Sequence, residues 1–129
     1  MRVLFVEDNP INRLVVCQML TAGGIEMEEA ENGLEGLSKI DENDYDLILM
    51  DLRMPRMDGL TAIRNLRARS DEKADLPVIV ITADIAANVH SDCMAAGADD
   101  ILQKPISMPL LFDAIGRILA ADEGAAMLA

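Results

Sequence analysis

Tryptophan is absent, and 129 residues hold only one tyrosine and two phenylalanines. No aromatic platform exists on which single-stranded nucleic acid could stack. Bases are scarce as well, 11 lysines and arginines against 23 acids, for a formal net charge of -12. Such a charge repels phosphate backbones and suits cationic or mixed protein surfaces. No apolar run approaches the ~20 residues that a membrane span requires. The start, Met1-Arg2-Val3-Leu4-Phe5-Val6-Glu7-Asp8, turns acidic too soon for a signal peptide. The one histidine, His90, has no second histidine to help it ligate a metal, so we read it as a surface residue. Cys17 and Cys93 lie far apart without metal-ligand spacing, and read as small core hydrophobes in a reducing compartment. Together these absences argue for a cytoplasmic protein with no direct nucleic-acid or membrane partner.

What is present is a single-domain chain, 51% hydrophobic, long enough for one substantial core. Its organising stretch is Tyr45–Gly59. There Leu47-Ile48-Leu49-Met50 runs into a carboxylate, Asp51, and a loop punctuated by Pro55 and closed by Gly59 follows. A short apolar run bounded by turn signals suits a strand buried on both faces. Asp51 would then stand at the strand's carboxyl end, where open α/β sheets place their ligand chemistry.

The remaining chain alternates strand and helix. Residues 2–6 form a strand ending at Glu7-Asp8, and Asn9-Pro10 opens a helix to about Ala22. Its expected apolar stripe is Ile11, Leu14, Val15, Gln18, Met19 and Ala22. Ile25–Ala30 reads as a partly polar strand near an edge, with Glu26, Glu28, Glu29 and Glu31 solvated. Asn32-Gly33 starts a helix carrying Leu34, Leu37 and Ile40. After Gly59, a helix with Leu60, Ile63 and Leu66 leads into a solvated loop, Arg69–Lys73. Pro77–Ile81 is a β-branched strand ending at Thr82. Ala83–Ala96 is predicted helical with Gly97 as its cap, and Asp99–Leu102 is a brief strand reaching Lys104-Pro105. Ser107 caps a last helix whose apolar face is Leu111, Ala114, Ile115 and Ile118. The domain is expected over 1–121, with a frayed tail over 122–129.

Five alternations with short connections call for one doubly wound, five-stranded parallel sheet with helices on both faces. In the flavodoxin-like order 2-1-3-4-5, the first and third strands adjoin at the switch point. Glu7, Asp8 and Asp51 then converge, with Thr82 and Lys104 approaching from the other side. Crowded carboxylates repel unless a cation sits among them. Oxygen ligands at an open crevice suit Mg2+, which shares its remaining positions with waters and a phosphoryl group. A metal, a lysine and a hydroxyl make a phosphoryl receptor, and a carboxylate can itself be the nucleophile.

Glu7-Asp8, Asp51 through Gly59, Thr82-Ala83, Gly97-Ala98-Asp99-Asp100 and Lys104-Pro105 resemble, in order and over essentially the whole chain, the receiver domain of two-component response regulators. Glu7 through Arg13 looks most like receivers associated with hybrid histidine kinases. The resemblance implies that Asp51 accepts a phosphoryl group from a phosphohistidine on a histidine kinase or histidine phosphotransfer protein. It implies Mg2+, or another divalent cation such as Mn2+, on Asp8, Asp51 and the Arg53 backbone carbonyl, with Glu7 assisting through water. Thr82 would bond the phosphoryl oxygens, Lys104 would pair with their charge, and the Lys104–Pro105 bond would be cis. The expected output surface is the fourth helix, fifth strand and fifth helix. Such a chain modifies itself rather than turning over a separate substrate, either as a complete regulator or as part of a larger hybrid kinase.

One position departs from the pattern: Ile101 stands where the family usually carries an aromatic switch residue. Arg53 and Asp84 occupy variable positions near the expected phosphoryl group and are expected to pair across the site mouth. A haloacid-dehalogenase-type phosphatase would need an acid at position 53, where this chain has arginine. A nucleotide-binding flavodoxin-like or Rossmann domain would need glycines where Glu7-Asp8-Asn9-Pro10 stands. A degenerate receiver, acting only as an interaction module, is the remaining alternative.

Overall fold

The computed structural model describes residues 1–84 and 86–128, with side chains through residue 120 apart from Ile85. Five strands, β1 (Arg2–Val6), β2 (Glu26–Ala30), β3 (Leu47–Asp51), β4 (Val78–Thr82) and β5 (Asp100–Gln103), alternate with five helices. The helices are α1 (Pro10–Ala22), α2 (Gly33–Glu42), α3 (Gly59–Arg67), α4 (Ala87–Ala96) and α5 (Met108–Leu128). All the pairings are parallel and the order is β2-β1-β3-β4-β5, as the sequence implied. The expected fraying over 122–129 falls on residues whose side chains lie outside those described.

β3 and β4 are buried throughout, because helices cover both faces of the sheet. Alternate side chains separate into two cores. Leu4, Val6, Ile48, Met50, Val78 and Val80 pack with Ile40, Ile63 and Cys93 from α2, α3 and α4. Val3, Phe5, Leu47, Leu49, Ile79 and Ile81 pack with Val16, Leu20, Leu111 and Ile115 from α1 and α5. Of the α5 face expected from the sequence, Leu111, Ala114 and Ile115 are buried and Ile118 is partly so. His90 is exposed. No helix among the described residues is long and apolar enough to cross a membrane.

Several local expectations are corrected. On α1 most of the named stripe points outward: Ile11, Leu14 and Val15 are 70%, 56% and 41% exposed, and of the six only Met19 packs against the core. Arg13, Val16 and Leu20 face inward instead. An arginine looks like a surface residue in a sequence, yet its guanidinium here is satisfied by the Glu7 carbonyl and by Glu29. Leu34 is likewise exposed, because α2 approaches the sheet through Gly33, Gly36 and Ile40. A Cβ on Gly36 would lie 2.9 Å from Val6 Cγ2, so the close approach requires glycine.

Cys93 is buried, whereas Cys17 is only half-buried, beside Thr21. A 3₁₀ turn, Glu72–Asp75, interrupts the loop expected after α3. α4 begins at Ala87 rather than at Ala83. Asp84 N–H donates to Thr82 Oγ1 and Ala86 N–H to Asp84 Oδ1, so side chains take the backbone donors a helix would have used. The acids of β2 are not all solvated: Glu28 pairs with Arg2 at 2.7 Å and accepts from the Tyr45 hydroxyl.

Candidate functional site

The register carries the site's chemistry to one end of the sheet. Val6 pairs with Met50, which places Glu7 and Asp8 beside Asp51. Ile81 is opposite Asp51 and Gln103 is opposite Thr82, so Thr82 and Lys104 follow at the same edge. Lys104 N–H donates to the Thr82 carbonyl at 2.8 Å, and the Lys104–Pro105 peptide is cis. A crevice of about 250 Å³ opens between these strand ends, lined by Glu7, Asp8, Asp51, Thr82 and Lys104, with Asn12, Arg53 and Asp84 among the residues at its walls.

Carboxylate oxygens of Glu7, Asp8 and Asp51 all lie within 4.8 Å of one another. Glu7, Asp51 and Thr82 are almost wholly buried, at 1%, 5% and 2% exposure, while Asp8 faces solvent. Lys104 Nζ stands 3.2 and 3.4 Å from the two Glu7 oxygens and 3.3 Å from Asp51 Oδ1. Burial disfavours its ammonium, but the two carboxylates outweigh that and hold its pKa above the ordinary value. Asp51 is pushed up to about 7, first by burial and then by the neighbouring Glu7, with Lys104 offsetting only part of the rise. Three acids and one lysine leave this cluster short of positive charge. That deficit, with oxygen-only ligands and an open mouth, fits a hard divalent cation.

The loop after β3 turns back directly against Asp51. Gly59 N–H donates to the Leu52 carbonyl at 2.9 Å, and a Cβ on Gly59 would lie 2.3 Å from the Asp51 carbonyl oxygen. Only glycine lets the loop close that tightly. Arg56 takes φ of 67°, a left-handed conformation unusual for a side chain of its kind. At the mouth, Arg53 Nη2 donates to Asp84 Oδ2 at 2.8 Å, the pairing expected from the sequence. The Ala86 backbone N–H and then Arg53 hold the Asp84 carboxyl below its ordinary pKa. Ile101 is half-buried against the core and offers no ring to move.

Sequence reasoning missed two functional neighbours, Asn12 and Arg13. Asn12 Nδ2 donates to Glu7 Oε1 at 2.6 Å, and Arg13 Nη1 donates to the Glu7 carbonyl at 2.7 Å. Their place on the first turn of α1, one turn beyond Glu7-Asp8, was the available signal.

Fold and site together define a flavodoxin-like domain with an acidic crevice, fit for a divalent cation, at the carboxyl ends of its strands. Residues 3–116 match the response regulator receiver domain family. The chain is 41% identical over 119 residues to hybrid signal transduction histidine kinase G of Dictyostelium discoideum, covering 91% of this chain and 4% of the relative. It is 40% identical over 108 residues to the sensor protein GacS of Pseudomonas syringae pv. syringae, covering 82% of this chain and 12% of the relative. This chain therefore spans a small part of these relatives. Among solved structures, it is similar to the receiver domain of sensor histidine kinase PA1611 from Pseudomonas aeruginosa PAO1, with a magnesium ion coordinated in the active site cleft. That likeness has TM-score 0.83 and 34% identity, over 90% of this chain and 94% of that one. The chain belongs to the response regulator receiver domain family, the phosphoacceptor domains of two-component signalling.

The crowding sets a pH and metal dependence. Because the Asp51 pKa is raised in the folded chain, the folded state retains a proton that the unfolded chain gives up near 3.8. The contribution of Asp51 to the stability of the metal-free protein therefore falls as pH rises from 3.8 to about 7, and levels off above that. At pH 8, Asp51→Asn is expected to be more stable than the parent by about 1–2 kcal/mol, a value reduced for screening at the open crevice. Mg2+ should stabilise the parent and have much less effect on the variant. Melting curves of both proteins, with and without Mg2+, check this; a variant that melts below the metal-free parent contradicts it.

Proposed function

We propose that Asp51 is the phosphoacceptor and that the chain relays a signal from a phosphohistidine on a histidine kinase or phosphotransfer protein. The observation that supports this best is the buried carboxylate of Asp51 at the open end of a parallel sheet, with Lys104 Nζ 3.3 Å away. An Asp51 oxygen attacks phosphorus, an acyl phosphate forms, and the phosphorus–nitrogen bond breaks. The imidazole leaves with that electron pair and takes up a proton. Thr82 Oγ1 and Lys104 Nζ receive the phosphoryl oxygens. Asp8, Asp51 and the Arg53 carbonyl hold Mg2+ or a similar divalent cation such as Mn2+, with Glu7 acting through water. The metal supplies charge neutralisation between the acids and the incoming phosphoryl group. The chain promotes its own phosphorylation and dephosphorylation and turns over no separate substrate.

Phosphorylation adds roughly -1.5 to -2 charges at Asp51. The response passes through Thr82 and Lys104, whose strands end side by side, to an output surface formed by α4, β5 and α5. The phosphodonor meets a different surface. Asn9 and Asn12 of the α1 entry line the crevice, and the exposed Ile11, Leu14 and Val15 stand on the same helix. They give the incoming protein an apolar footing beside the acceptor.

Incubated with Mg2+ and acetyl phosphate, the intact chain is expected to gain one phosphate by mass spectrometry, and Asp51→Asn none. Amide shifts in the phosphorylated sample should concentrate in α4, β5 and α5. Folded protein that gains no phosphate from either small or protein donors would instead be a degenerate receiver that only binds partners. Leu14→Glu should slow transfer from a phosphohistidine protein by roughly tenfold while leaving acetyl phosphate labelling unchanged; equal slowing with both donors would refute a docking role. Arg53→Ala and Asp84→Ala each open the mouth to water and should shorten the acyl phosphate lifetime roughly two- to fivefold. Unchanged decay in both variants would remove the ion pair from the mechanism.

A further inference from the structure

Glu7 is gripped at both ends by consecutive residues of α1. Arg13 fixes its backbone carbonyl, and Asn12 donates to its carboxylate through the shortest contact that this group makes, 2.6 Å. Among the described residues, Lys104 is the other lysine, arginine or amide donor to that carboxylate, at 3.2 and 3.4 Å, and it is shared with Asp51. The arrangement poses a conflict. A phosphoryl group on Asp51 needs the Lys104 charge, yet Glu7 is 1% exposed and could not be left without a donor. A buried carboxylate stripped of its partner is costly, so Lys104 would resist leaving.

Asn12 resolves that conflict. Its amide is a neutral donor carried on a helix already capped by Asn9, whose Oδ1 accepts from the N–H groups of Ile11 and Asn12. It stays with Glu7 whatever Lys104 does, and adds no charge that would compete for phosphoryl oxygens. We propose that Asn12 is a positioning residue for phosphoryl transfer: it keeps the Glu7 carboxylate satisfied so that Lys104 can move to the phosphoryl group. The proposal rests on Asp51 as the acceptor.

The test is the rate of acetyl phosphate labelling in the full chain, followed by intact mass, for the parent, Asn12→Ala, Lys104→Ala and the double variant. Alanine is a good helix former and Asn9 still caps α1, so Asn12→Ala is expected to fold, with a melting curve to confirm it. Asn12→Ala should label about tenfold more slowly, because the Glu7 carboxylate then leans on Lys104 alone among the donors described. In a Lys104→Ala background, with the double variant shown by its melting curve to be folded, Asn12→Ala should slow labelling no further, and the Mg2+ affinity of the single Asn12→Ala variant by calorimetry should match the parent's. An unchanged rate in Asn12→Ala overturns the proposal. So does a loss that persists without Lys104 or follows weakened Mg2+ binding, which would tie Asn12 to the metal instead. Should the parent itself take no phosphate, the acceptor assignment fails, a result distinct from these.

Discussion

Carboxylate repulsion at the carboxyl ends of β1 and β3 is the constraint on which the rest of the structure depends. Two adjacent parallel strands deliver Glu7, Asp8 and Asp51 to one point. A fold selected for stability alone would not place them there, because burial and mutual repulsion both raise the energy of the charged forms. The surroundings limit the damage without cancelling it. Lys104 is shared between Glu7 and Asp51, Asn12 holds the Glu7 carboxylate, and Arg13 anchors its backbone. Residual repulsion of this kind suits the crevice to a divalent cation.

The glycines near the site follow from the same constraint. Asp51 has to remain reachable although its strand is covered on both faces, so the loop after it must turn back at once. Gly59 permits that turn against the Asp51 carbonyl, and Gly33 lets α2 start beside the Met57 carbonyl, 2.7 Å from where its Cβ would be. The helices on that side, α2 and α3, are therefore set by backbone clearance around Asp51 and its loop as much as by their own apolar residues.

How much of this was legible in the sequence depended on whether a signal was local. Strand ends were legible, because an apolar run stopping at Glu7-Asp8, Asp51, Thr82 or Lys104 marks itself. The order of strands followed from alternation and short connections. Helix orientation was less legible. α1 carries apolar residues on more than one face, so the spacing of Ile11, Leu14 and Val15 looked as good as that of Val16 and Leu20. The deciding fact was non-local: Arg13 is buried because the Glu7 carbonyl and Glu29 receive its guanidinium. The start of α4 was obscured in a similar way, by side-chain capping at Thr82 and Asp84 that propensity does not reveal.

Ile101 gives these interactions their wider consequence. On the proposed function, with no aromatic ring on β5, the response to phosphorylation starts from groups already touching the crevice. Two are suited to it. Thr82 Oγ1 accepts from the Asp84 N–H, so a hydroxyl drawn toward a phosphoryl group pulls on the loop that leads into α4. Lys104 lies at the end of β5, and its backbone N–H is bonded to the Thr82 carbonyl. A shift of its side chain away from Glu7 is thus applied to the same pair of strand ends. Both proposed shifts would act on that one hydrogen bond, beside which Ile101 is half-buried against the core. On the proposed function, switching becomes a matter of whether Lys104 serves Glu7 or the phosphoryl group, and the bonds that hold Glu7 set how readily it moves.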